Sequence, residues 1–217
     1  MQRFISSLLF GLALAACASR PPDIASADEP LSVLVIERAS LEAFEAEAAS
    51  RDGAPVTYLS TEVRFSQYAS ATGCEVKTGI GMSNSSLFFR FGAGERLAPG
   101  EVVSSSRWVM SIDQLQGRQA APGFRYRMRG LEFSGYAAFA FTSAGNRQVR
   151  FEPRNGITIE ANDAEVQVIG PLTMSVEASE VIISPADFDR DALLAEVARL
   201  TGRENADISF ARISEEC

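Results

Sequence analysis

From Val56 onward apolar residues alternate with polar ones at a period of two, the pattern of strands that bury a single face. Val63 and Phe65 alternate with Glu62 and Arg64, while Val76, Thr78, Ile80 and Met82 share one face and Trp108, Met110 and Ile112 another. The clearest alternation places Phe124, Tyr126 and Met128 inward and Arg125, Arg127 and Arg129 outward. Beyond Gly130 the apolar residues move to odd positions: Leu131, Phe133, Ala137, Phe139 and Phe141. Such a slip would turn the rest of the strand inside out, so a bulge or tight bend is expected at Gly130. A meander should follow, carrying Val149 and Phe151, Ile157 and Ile159, Val166 and Val168, then Leu172, Met174 and Val176. Its expected turns are Asn155-Gly156, the strongest short hairpin signal, then Asn162-Asp163 and Gly170-Pro171. Strands this close together, without helices between them, imply antiparallel pairing.

Two helical segments flank the β pattern. Leu31 to Glu37 is a compact β-rich run, and a short helix is predicted over Ser40 to Ala49. Leu41, Phe44 and Ala48 fall on one face of it, leaving Glu42, Glu45 and Glu47 to water. Near the other end Ser184 is a predicted cap and Pro185 the first helical residue. Phe188, Ala192 and Ala195 face roughly one way with Leu193, Val197 and Leu200 beside them, and Gly202 terminates the helix. A last strand is expected over Ile208 to Ile213. The fold class predicted for residues 31–217 is therefore mainly β (α+β), as one domain. It is an antiparallel β-sandwich or open barrel with a short N-terminal and a C-terminal helix.

The first residues follow a different rule. Arg3 supplies a positive charge, and the eleven residues from Phe4 to Leu14 are apolar except for Ser6, Ser7 and Gly11. A resident transmembrane helix needs about 20 apolar residues, so length and flanks fit a cleaved export signal. Leu14-Ala15-Ala16-Cys17 then matches a lipobox, and this start resembles that of a bacterial lipoprotein. The resemblance covers the leader alone. It implies a signal peptide over residues 1–16 and a Cys17 bearing diacylglycerol and an amide-linked acyl chain such as palmitate. With Ala18 in place of aspartate, it also implies the outer membrane, facing the periplasm. Several acyl chains on one residue anchor stably where one holds only marginally. Residues 17–30 carry Pro21, Pro22 and Pro30 and no aromatic, and read as a tether.

Composition narrows the chemistry. Removal of Arg3 with the leader leaves 19 basic and 28 acidic residues, a net charge of −9, which argues against nucleic acid as a partner. Lys77 is the only lysine, and histidine is absent. Ser-His-Asp and Cys-His catalysis and His-ligated zinc are thereby excluded. No local motif marks a catalytic residue, metal ligand or cofactor. Asp187-Phe188-Asp189-Arg190-Asp191 imitates the start of a calcium loop, but Ala192 and Ala198 stand where glycine and glutamate are needed.

Two features remain as candidate sites. Arg125, Arg127 and Arg129 form a basic stripe able to receive an anionic group. Cross-strand pairing with Glu132, Glu152 or Glu160 is the commoner fate of such a stripe. Cys74 and Cys217 are the thiols left once Cys17 is lipidated, and an oxidising periplasm allows them one intramolecular disulfide. The phenylalanines at 88, 89, 91, 133, 139 and 141 suit either a core or the lining of a cavity.

The function expected from these observations is non-catalytic. The chain reads as a lipid-anchored envelope protein that binds or supports other envelope proteins. A carrier of a small hydrophobic molecule or lipid is the alternative, and a hydrolase using carboxylates comes third. A packed interior with an exposed apolar or aromatic patch, a deep apolar pocket, or converging carboxylates in a cleft would distinguish the three.

Overall fold

The computed structural model describes residues 29–50, 56–70, 72–77, 86–92, 101–104, 106–111, 120–137, 145–151, 153–177 and 180–214. Numbered along the chain, the elements begin with strand β1 (Leu31–Glu37), helix α1 (Arg38–Ser50), β2 (Val56–Gln67), β3 (Ser86–Gly92), β4 (Glu101–Val103) and β5 (Arg107–Ser111). The long β6 (Arg125–Ala137), β7 (Gly145–Phe151), β8 (Thr158–Glu160), β9 (Val166–Glu177) and β10 (Glu180–Pro185) follow. Helix α2 (Arg190–Thr201), β11 (Ile208–Phe210) and β12 (Arg212–Ser214) complete the set. These form two six-stranded sheets. The first has the order β10-β9-β1-β5-β4 with β11 also on β9; the second has β12-β8-β6-β2-β3 with β7 also on β6. The fold is an open sandwich, mainly β with two helices.

Strand β1 explains the layering. Leu31 through Ile36 are all buried. Leu34 and Ile36 point into the core between the sheets, where they join Leu41 and Phe44 of α1, Val63 and Phe65 of β2, and Tyr126 and Met128 of β6. Leu31, Val33 and Val35 pack on the opposite side with Leu193 and Val197 of α2. A strand covered on both faces needs a continuous apolar run, not an alternating one. The layers therefore run α2, first sheet, core with α1, second sheet.

Several local expectations are corrected by this arrangement. The first sheet is mixed: β9 pairs in parallel with β1 and with β11. Gly170-Pro171 is not a turn but a cis peptide inside β9, beside the register shift between Leu34 and Ile36 of β1. Ser184 and Pro185 do not open a helix. They finish β10 opposite Thr173 and Leu172, where proline suits the end of an edge strand. The cap of α2 is Asp189, whose carboxylate accepts from the Ala192 amide at 3.1 Å. The buried face of α2 is Leu193, Val197, Ala198 and Thr201, while Ala192 and Ala195 are exposed. Gly202 does end the helix, at φ 68°. Phe124 lies just outside β6 and is 45% exposed, with the Lys77 ammonium 5.5 Å from its ring centre.

The last strand is two strands. β11 pairs with β9 in the first sheet and β12 with β8 in the second, so the chain crosses between sheets at Ala211. At the other end of the sandwich Arg107 donates to Glu37 at 3.1 Å and to Glu196 at 2.6 Å, tying α2 to β1. Burial works against ionisation of Glu196, but hydrogen bonds from Ser104 and Arg107 outweigh it and hold the carboxyl below its ordinary pKa.

Candidate functional site

The parity change predicted at Gly130 is present as a bulge. Phe65 lies opposite Met128 and Arg64 opposite Gly130, so Arg129 is an extra residue on β6. On the other edge of β6 a second irregularity sits beside it. β7 pairs with β6 only as far as Phe151 opposite Leu131, and β8 resumes with Thr158 opposite Arg127. The two are collinear halves of one edge, separated by a chain excursion. Asn155-Gly156 is therefore not the hairpin turn that its sequence suggests.

The excursion has a physical cause. Pro153 carries no amide hydrogen for the ladder, and it bridges instead to Val181 of β10. The Arg154 amide donates to the Val181 carbonyl at 2.9 Å. The Asn155 side chain grips Ile183 from both sides, donating to its carbonyl and accepting from its amide at 3.1 Å. This covers the outer edge of the first sheet, which would otherwise present unpaired backbone groups. The chain then returns, and the Ile157 carbonyl accepts from the Met128 amide at 2.9 Å.

What remains between β7 and β8 is a notch over β6. A cavity of about 160 Å³ is lined by Arg127, Met128, Arg129, Pro153 and Gly156. The guanidinium of Arg127 lies against Gly156: a Cβ there would stand 3.1 Å from its Nη2, 3.5 Å from Cζ and 3.6 Å from Nε.

The stripe of three arginines is thus divided. Arg125 faces Glu160 across the ladder and stacks on the Tyr68 ring at 4.7 Å, so for this residue the expected cross-strand environment is found. Arg127 lies opposite Thr158 and Ser66, not an acid. Glu132 is opposite Glu62 and Arg150, and Glu152 lies outside the described residues. Among the described residues neither Arg127 nor Arg129 makes an ion pair, although neighbouring arginines do. Arg64 meets Glu62, and Arg154 meets Glu177 and Glu180 at 3.0 and 3.7 Å. Pro153 and Gly156 were not legible as site residues, because only the tertiary excursion brings them to the arginines.

A second group escaped the sequence reading. Glu45, predicted to face water, is only 9% exposed, and the Thr61 hydroxyl donates to it at 2.9 Å. Burial raises its pKa to about 7, assisted by the charge of Glu42 and opposed by the Thr61 hydrogen bond. Its neighbour in charge, Glu42, sits on the same helix and pairs with Arg38 at 2.7 Å. These two carboxylates do not flank a cleft in the manner of a glycosidase pair.

The aromatic rows are core wherever their side chains are described. Phe65 and Phe89 meet edge to face at 5.9 Å, and Phe44 and Phe151 at 4.9 Å. The side chains of Phe88, Phe91, Phe133, Phe139 and Phe141 lie outside the described residues. Cys74 is exposed and disulfide-bonded, and Cys17 and Cys217 lie outside the described residues. No described helix is long and apolar enough to cross a membrane, and no described cluster of acids and cysteines could hold a metal ion.

With this geometry the chain defines a class by architecture: an open β-sandwich covered on one face by a helix. Compared with known proteins, it matches no family model, no curated sequence and no solved structure.

Proposed function

We propose that the protein is a lipoprotein of the bacterial cell envelope. Cys17 holds it at the outer membrane, and the domain serves as a non-catalytic binding module toward other envelope components in the periplasm. The observation that favours binding at the surface over transport of a lipid is the packing of the interior. Phe44, Phe65, Phe89 and Phe151 are each at most 1% exposed and fill the space between the sheets where a hydrophobic cargo would lie. The hydrolase reading has a carboxyl of raised pKa in Glu45, which is buried beneath α1 and accepts from the Thr61 hydroxyl. Cys74 is disulfide-bonded, and with Cys17 lipidated the proposed partner is Cys217.

The anchor is tested by fractionation. Cys17→Ser should move the protein from the membrane fraction to the soluble periplasmic fraction. Retention of that variant in membranes after a carbonate wash rules out the lipid anchor. Organic extraction, which leaves the covalent anchor on the protein, should release no stoichiometric lipid, and a lipid bound in the interior would restore the carrier reading.

A further inference from the structure

We infer that the notch between β7 and β8 is a binding site for a phosphate group, received by Arg127 and Arg129. The inference deepens the proposed envelope role and rests on it only for where the phosphate comes from. A chain with 28 acidic and 20 basic residues has carboxylates to spare for its arginines, yet these two have none among the described residues. Their isolation is built in. The bulge adds Arg129 to the strand, and the docking of residues 153–155 on β10 interrupts the neighbouring edge between Phe151 and Thr158, so that Arg127 faces Thr158 and no described residue stands opposite Arg129 on that edge.

The donor set suits phosphate better than carboxylate. One guanidinium fork satisfies both oxygens of a carboxylate, whereas a phosphate monoester offers three oxygens and nearly two negative charges. Two guanidinium groups match it in charge and in number of donors. Arg127 is half-buried with its guanidinium beside Gly156, and a side chain already partly packed loses less freedom on binding. The cavity of about 160 Å³ admits the phosphate and the first atoms of its ester. Pro153 supplies an apolar wall.

The same chemistry is carried by a soluble phosphate ester and by a phosphomonoester lipid headgroup. The test uses the full chain with Cys17→Ser, in a buffer lacking phosphate and sulfate. Calorimetry or arginine Nε NMR follows titration with inorganic phosphate, glycerol 3-phosphate and acetate. Saturable binding of both phosphates is expected, with acetate about tenfold weaker or worse. Arg127→Gln and Arg129→Gln should each weaken phosphate binding about tenfold. Arg154→Gln, on the same excursion but outside the cavity, should leave it unchanged. Competition by phosphatidic acid vesicles, and not by phosphatidylcholine vesicles, assigns the site to a headgroup; indifference to both assigns it to a soluble ester. Wild-type binding by both glutamine variants, or no saturable response to either phosphate, overturns the inference. If Cys17→Ser stays in membranes while phosphate still binds, the anchor fails and the site stands.

Discussion

At the scale of single residues, two positions carry constraints that composition hides. Gly170 adopts φ 111°, and a Cβ there would be driven into the Val35 carbonyl oxygen. Both the backbone conformation and the close approach of β1 require glycine. Gly170→Ala should therefore lower stability by about 2 kcal/mol or more, read as a fall in the urea midpoint at unchanged slope. Gly123, at φ 74° with nothing within 4 Å of its missing side chain, pays only the conformational part and should lose less. Glu45 is the other case. Its pKa is raised to about 7 in the fold against about 4.3 in an unfolded chain. The unfolded state thus releases its proton first as pH rises. The stability held by the neutral carboxyl is complete below about pH 4 and is lost as pH climbs to about 7, by on the order of 3 kcal/mol. Glu45→Gln keeps an acceptor for Thr61 without the charge. It should match the wild type near pH 4.5 and exceed it above pH 7.5. Parallel stability curves for the two proteins across that range would refute the assignment.

At the scale of elements, helix α2 separates a sequence signal from the contact that overrode it. Ser184 followed by Pro185 is a good helix start, but pairing with β9 continues through both residues and leaves Asp189 to cap. Asp189→Ala should cost about 1 kcal/mol, whereas Ser184→Ala should be nearly neutral, as measured by thermal or urea unfolding. The reverse order would mean that the helix begins earlier. Gly202 was legible because its role is local: its amide and that of Arg203 close on Arg199 and Ala198, a geometry that needs only an αL residue. The β7–β8 edge shows the opposite. Asn155-Gly156 promises a hairpin, but Asn155 spends its side chain on Ile183, 28 positions away in sequence, and the hairpin does not form.

At the scale of the whole molecule, the sandwich is closed by chain crossings as well as by packing. The excursion at 153–155 ties the second sheet to β10, and the step at Ala211 carries the C-terminal segment from β9 to β8. A bridge from Cys74 to Cys217 would add a covalent tie across a span of 143 positions, worth at most about 5 kcal/mol on chain entropy. The mature protein should show no titratable thiol without reductant, and reduction should lower its unfolding midpoint. Two titratable thiols in the native protein would exclude the bridge, and a dimer that disappears on reduction would place it between chains.

Elements whose reasons are short-range or periodic were legible in the chain. These are the β-rich run of β1, the alternation of Val63 and Phe65, the parity change at Gly130 and the end of α2. The parallel pairing of β9, the burial of Glu45 and the recess that Arg127 and Arg129 share with Pro153 and Gly156 emerge only in the assembled fold. The reason is physical. Alternation and capping depend on neighbours a few residues away, which any reading of the chain can see. Burial of a helical carboxylate and the gap between two half-strands depend on which distant edge is left to be satisfied, and that is settled only when both sheets are in place.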